Sequence, residues 1–101
     1  MTLCLEQPQL LVSPATRQVT VTHPTGLHVR PSGAIVKTVN RFRSEVRLRH
    51  GNQEVDASGI FEIMLLAVPQ GAEVTLLAEG PDAEAVLDAL STLFADDFGL
   101  R

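Results

Sequence analysis

Thr25-Gly26-Leu27-His28-Val29-Arg30-Pro31-Ser32-Gly33 stands between two runs of different period. Before it, Gln18-Val19-Thr20-Val21-Thr22 alternates and is rich in β-branched residues, the pattern of a strand. After it, Ile35, Val39 and Phe42 recur at the spacing of one helical face, with Lys37, Thr38 and Asn40 elsewhere. The stretch is therefore a strand-to-helix turn carrying a histidine and an arginine. The first turn of a helix has unpaired N–H groups and roughly half a positive charge, so it seats anions. Pro31 suits that turn, because its missing N–H would have had no partner there. Ser32 and Gly33 are small and leave the helix mouth open, and Arg30 can fork onto anionic oxygens. Histidine is a nucleophile in its neutral form. His28 with these neighbours fits a site that takes a phosphoryl group on an imidazole nitrogen.

The rest of the chain reads outward from this turn. Residues 1–16 are interrupted by Pro8 and Pro14, and Leu3, Leu5, Leu10, Leu11 and Val12 are apolar enough to lie against a domain. They are read as an N-terminal extension to a domain of residues 17–101. Beyond the first helix, expected to end near Asn40 to Phe42, Glu45 to Arg49 alternates as a second strand. His50-Gly51-Asn52 is a hairpin connection, and Gln53 to Asp56 is a short third strand. Ala57 to Val68 is apolar almost all round, with Ser58 as the expected N-cap and Pro69 and Gly71 as its close. Glu73 to Ala78 is a fourth strand. Gly80-Pro81-Asp82 opens a last helix with acids Asp82 and Glu84 in its first turn and Val86, Leu90 and Leu93 or Phe94 on its buried stripe. The order is βαββαβα, an α/β (α+β) arrangement with three helices on one face of an antiparallel sheet.

Composition narrows the function classes. A chain of 101 residues holds one small core. A formal net charge of −4 argues against a nucleic-acid binder, and Arg41, Arg43, Arg47 and Arg49 read as a solvated surface around a strand. The single cysteine, Cys4, excludes a disulfide framework and leaves no zinc site. No signal-peptide pattern and no membrane-spanning apolar run is visible, so a cytoplasmic protein is expected.

Gly26-Leu27-His28-Val29-Arg30-Pro31 resembles the active-site motif of the HPr family, the histidine-containing phosphocarriers of the phosphoenolpyruvate-dependent sugar phosphotransferase system. The similarity continues in order and spacing through Phe42-Arg43-Ser44-Glu45-Val46, Gly51, Val55-Asp56-Ala57, Ile60 to Leu66, Gln70-Gly71 and Ala78 to Ala83. It implies an open-faced β-sandwich of sheet order 1-4-2-3 with three helices on one side. It implies that His28 accepts a phosphoryl group on Nδ1 (as a pros-phosphohistidine) from phosphorylated enzyme I and passes it to an enzyme IIA domain. Arg30 would neutralise the phosphate, and Val29, Pro31 and Ser32 would form the supporting helix N-terminus. Ile60, Phe61 and Met64 would dock partners, while Ile63 and Leu66 face the core. The protein would then be a carrier acting between enzymes rather than an enzyme, with no cofactor, no metal, no membrane insertion and a monomeric state. Many relatives carry a regulatory serine where this chain has Gly59, so regulation at that serine is expected to be absent here; Ser58, one residue earlier, could substitute but is read first as the N-cap.

Other readings are less well supported by the residues. A regulatory relative, phosphorylated on His28 but serving nitrogen or carbon control, would have the same sequence signals. A small ligand- or RNA-binding α/β module would want exposed aromatics or basic residues on the open sheet face, against four Phe, no Tyr and no Trp. His23 reads as an exposed loop histidine and His50 as a hairpin residue, and neither has ligand-like spacing to another histidine.

Overall fold

The structure is a computed structural model that describes residues 14–99. The expectations for residues 1–13, including Cys4, lie outside the described residues. The elements are β1 (Ala15–Thr20), α1 (Val29–Val39), β2 (Glu45–His50), β3 (Gln53–Asp56), α2 (Ile60–Leu65), β4 (Glu73–Glu79) and α3 (Ala83–Ala95), followed by a 3₁₀ turn at Asp97–Gly99. All three strand pairings are antiparallel and the sheet order is β1-β4-β2-β3. The expected open sheet with three helices on one side is the fold found.

Register decides which side is buried. Val46 lies opposite Ala78, and Leu48 opposite Leu76, so the buried residues of β2 and β4 share one face. Their alternate neighbours Arg47, Arg49 and Thr75 share the other. Helices α1, α2 and α3 close the buried face with Ile35, Ile63, Val86, Leu87, Leu90 and Phe94, all essentially without solvent contact. In edge strand β1, Arg17 lies on the helix side, opposite Leu76. Its guanidinium reaches across to α3, donating to Asp88 Oδ1 (2.8 Å), Ser91 Oγ (3.3 Å) and Glu84 Oε1 (3.2 Å). A long cationic side chain thus covers apolar surface while keeping its charge paired in water.

Several boundaries differ from those read in the sequence. Strand β1 starts at Ala15, inside the stretch assigned to the extension, and stops at Thr20; Val21 is buried but pairs irregularly. Helix α1 begins at Val29, two residues before the apolar period becomes visible, because Val29 and Arg30 are exposed and carry no core signal. It stops at Val39, and Phe42 packs on the core from the loop beyond. The largest difference is α2, six residues long instead of the whole of Ala57 to Val68. Ala57 still belongs to the sheet, its N–H donating to Val46 O at 2.9 Å. Ser58 is not the N-cap: its N–H and Oγ both donate to Asp56 Oδ1, at 2.8 and 2.7 Å, in an Asx-type turn. Gly59 takes the N-cap position with no side-chain cap. At the other end Ala67 enters the left-handed region (φ 51°) and stops the helix before Pro69.

The start of α3 is tied to the start of β2 by one cluster. Asp82 accepts from Arg43 N–H (3.1 and 2.9 Å) and from Ser44 Oγ (2.5 Å), and its own N–H donates back to Ser44 Oγ (3.2 Å). Gly80 (φ 147°) passes so close that a Cβ there would lie 2.6 Å from Ser44 Cα. The Ser44 and Arg43 hydrogen bonds hold the Asp82 carboxyl below the usual carboxylate range, and the Ser58 bonds do the same for Asp56. A carboxyl with a lowered folded-state pKa contributes stability above its unfolded pKa and loses it as the pH falls through the folded value. Asp82→Asn is therefore expected to flatten the acid limb of the stability curve below about pH 4. The residual slope belongs in part to Asp56. Urea unfolding between neutral pH and the acid limb, on both proteins, checks this; an unchanged limb refutes it.

Candidate functional site

The turn that carries His28 is held from behind by backbone. Val21 N–H donates to Ala72 O (2.9 Å), Gly71 N–H to Val21 O (2.7 Å) and Leu27 N–H to Val68 O (3.0 Å). Gln70 Nε2 adds a bond to Thr22 O at 3.2 Å. Residues 21–27 are thus strapped along residues 68–72, the lead into β4. Gly26 (φ 68°) is required by this closeness, because a Cβ there would sit 2.2 Å from Val68 O. A hydrogen bond from Thr22 Oγ1 to Asp97 ties the same segment to the C-terminal turn. That turn is anchored by Phe98, buried and edge-on to Phe94 with ring centroids 4.7 Å apart.

His28 is the N-cap residue of α1, in extended conformation (φ −91°). Its ring is half-buried. Nε2 is buried with no hydrogen-bond partner, whereas Nδ1 is not among the buried unpartnered atoms of the described residues. Nδ1 is therefore the nitrogen that meets solvent. The amides of Val29 and Arg30, in the first turn, have no intrachain acceptor among the described residues. Arg30 is exposed and forms no ion pair among the described residues. Nucleophilic nitrogen, free amides and free guanidinium thus share one helix end.

Two of the expected supporting residues sit behind this end instead of on it. Pro31 is fully buried and offers no N–H. Ser32 is also fully buried; its N–H donates to His28 O (2.9 Å) and its Oγ to Leu27 O (3.4 Å). Ser32 therefore fixes the cap from inside and presents no donor to an anion. A Cβ on Gly33 would meet only Ile60 Cδ1, at an ordinary contact distance of 4.0 Å, so the approach of α1 to α2 does not require a glycine there.

A shallow depression of about 330 Å³ lies beside His28, lined by Thr25, Leu27, Met64, Ala67, Val68 and Pro69. An apolar patch flanks it. Phe61 is 79% exposed, Leu65 75%, Val29 53% and Met64 38%. Ile63 and Leu66 are buried, as expected, while Ile60 is half-buried at the contact with α1. Leu65 was not singled out by the sequence. It shares the face of Phe61 at one helical turn, a signal hidden when the whole of Ala57 to Val68 is taken as helix. The open sheet face carries no Phe: Phe94 and Phe98 are buried, Phe42 packs on the core and Phe61 is on α2. Arg47 and Arg49 there lie against Glu54. Among the described residues no three His, Cys, Asp or Glu side chains converge to hold a metal, and no helix is long and apolar enough to cross a membrane.

Comparison with known proteins agrees with this geometry. Residues 15–96 match the model of the PTS HPr component phosphorylation site family. Phosphocarrier protein HPr of Cupriavidus necator is 37% identical over 83 residues, 82% of this chain and 93% of the relative. The phosphoryl donor subunit DhaM of the PEP-dependent dihydroxyacetone kinase of Providencia stuartii is 38% identical over 84 residues. The match covers 83% of this chain but only 18% of that subunit. Among solved structures, HPr-C-His from Thermoanaerobacter tengcongensis superposes with a TM-score of 0.82 at 37% identity, over 86% of this chain and 98% of that one. Crh, the Bacillus subtilis catabolite repression protein described as a swapped dimer, superposes at 0.67 and 38% identity, over 80% of this chain and 93% of that one. The chain belongs to the HPr family, the phosphocarriers of the phosphotransferase system.

The left-handed residues Gly26, in the strap behind His28, and Ala67, just before it, give opposite predictions. Gly26→Ala is expected to destabilise the protein by more than about 1 kcal/mol, since both φ and Val68 O oppose a Cβ. Ala67→Gly, at φ 51°, is expected to stabilise it by about 0.5–1 kcal/mol. Denaturant midpoints at constant m-value decide both.

Proposed function

We propose that His28 accepts a phosphoryl group on Nδ1 from phosphorylated enzyme I and donates it to enzyme IIA domains, with Arg30 and the amides of Val29 and Arg30 meeting the charge. The observation that carries this reading is the exposed Nδ1 at a helix end with free donors and an unpaired guanidinium. In the transfer, the Nδ1 lone pair attacks phosphorus while the phosphorus–nitrogen bond to the donor imidazole breaks and the donor keeps that electron pair. The group arriving carries close to two negative charges near pH 7. The helix end and Arg30 offset them without enclosing them. The proton left on Nε2 lies in a buried position without an acceptor, which adds nothing to hold the phosphorylated state. Moderate stabilisation suits a group that must be passed on, and the chain acts as a carrier rather than as a catalyst. No cofactor enters the step.

Partner docking belongs to the apolar patch of Phe61, Met64 and Leu65, beside the depression that His28 helps to line. Exposed apolar residues next to a reactive group are what a partner that must reach Nδ1 would cover. A carrier that exchanges its partners through one face is most simply a monomer, in the cytoplasm where the phosphotransferase enzymes supply and take the group. The likeness to Crh favours one second reading, a regulatory protein phosphorylated on the same histidine without a transport role.

Phosphoenolpyruvate, magnesium and purified enzyme I are expected to add one phosphoryl mass to the protein as an acid-labile adduct, and His28→Ala to abolish it. Arg30→Ala is expected to slow loading about tenfold, the worth of a charged hydrogen bond. Phe61→Ser with Leu65→Ser is expected to raise KM for enzyme I by about tenfold or more with little change in kcat. Loading without onward transfer to any IIA domain would favour the regulatory reading. No adduct on the native chain refutes both.

A further inference from the structure

A second histidine stands beside the first. The rings of His23 and His28 have centroids 5.6 Å apart and are tilted by 52°. His23 is half-buried on the turn that the strap holds in place, so its neighbourhood with His28 is part of the fold and not a chance of a loose loop. Its Nδ1 is already occupied. The backbone N–H of Thr25 donates to it at 3.3 Å, and Thr25 Oγ1 lies 2.8 Å from the same atom. A nitrogen that accepts from an amide carries no proton of its own, so neutral His23 has its proton on Nε2. Among the described residues that Nε2–H has no acceptor. With Nδ1 accepting from the Thr25 amide, Nε2–H is the donor this ring has left to offer, next to the His28 ring.

We propose that His23 donates a hydrogen bond from Nε2–H to a phosphoryl oxygen on phosphorylated His28. The proposal rests on the phosphoryl-acceptor reading of His28 given above. The His23 ring lies within contact range of the ring that would carry the group, close enough for its Nε2–H to reach a phosphoryl oxygen. In this arrangement the Val29 and Arg30 amides would meet the group from the helix end, and His23 Nε2–H would add a side-chain donor from the turn before the helix. A single N–H donor adds modest stabilisation. Thr25 is the positioning residue in this arrangement, because it sets the tautomer of His23.

Phosphoramidate, a small phosphoryl donor, loads histidine without a partner enzyme, so the test does not depend on recognition by enzyme I. The native protein, His23→Ala and His23→Gln are loaded, and tandem mass spectrometry locates the adduct. Hydrolysis of the His28 adduct is then followed at neutral pH, together with imidazole nitrogen resonances of the native protein before and after loading. The expected result is the Nε2–H tautomer of His23 beforehand, a shift of that Nε2 signal on loading, and hydrolysis altered roughly three- to tenfold in His23→Ala. His23→Gln, which keeps a side-chain N–H, is expected to recover most of the difference. Equal lifetimes in native and His23→Ala proteins, or a His23 Nε2 signal that does not move, overturn the proposal while His28 remains the acceptor. An adduct absent from His28 overturns the acceptor reading itself.

Discussion

The structure depends on the pairing of residues 21–27 with residues 68–72. Four hydrogen bonds join these segments where the regular ladder between β1 and β4 has already ended. They continue the sheet into the loops, so the turn before α1 is positioned by the central strand of the fold and not by its own residues. A helix cap held by a loop alone would move with that loop. Here the extended conformation of His28 follows from Leu27 being bonded to Val68 on one side and Ser32 being bonded to His28 O on the other. Gly26 permits the approach, and the left-handed Ala67 turns the chain so that Val68 O faces it. Of these, only the left-handed Ala67 is costly for its residue type, and the surrounding bonds maintain it.

The same strap explains why the site can be both open and ordered. His28 buries Nε2 and leaves Nδ1 as the nitrogen within reach of a partner. The donors around it are backbone amides and an arginine that has no acidic partner among the described residues, so none of those residues has to be displaced when an anion arrives. The apolar residues of α2 stand beside it because α2 is short. Six residues bury Ile63 and leave Phe61, Met64 and Leu65 outward. A longer helix would have carried the chain past the turn that delivers Val68 to Leu27.

Much of this was legible in the residues. The change of period across Thr25 to Gly33 located the turn, and the alternation in Glu45 to Arg49 and Glu73 to Ala78 located the two central strands, because period reports which face is buried. The motif around His28 identified the chemistry, and the same face of α2 was read as docking through Phe61 and Met64. What was not legible depended on which groups compete for each side chain, whether they lie a few residues away or across the fold. Ser58 looks like an N-cap until Asp56 is seen to occupy its hydroxyl, and Ser32 looks like a phosphate ligand until Leu27 and His28 are seen to hold it. Ser44 and Asp82 are ordinary polar residues in the chain and form one closed cluster across a separation of 38 positions.

The sequence by itself determined the order of elements, the family and the reacting histidine, since these rest on local period and on a motif whose residues are neighbours along the chain. Only the tertiary structure decided which nitrogen of His28 is exposed, which first-turn residues still have a donor to offer, and that His23 stands against His28. Those are matters of burial and of hydrogen-bond competition. A side chain's availability depends on what else reaches it, and for this turn those neighbours come from the far side of the sheet connection, more than 40 residues away in the case of Leu27 and Val68.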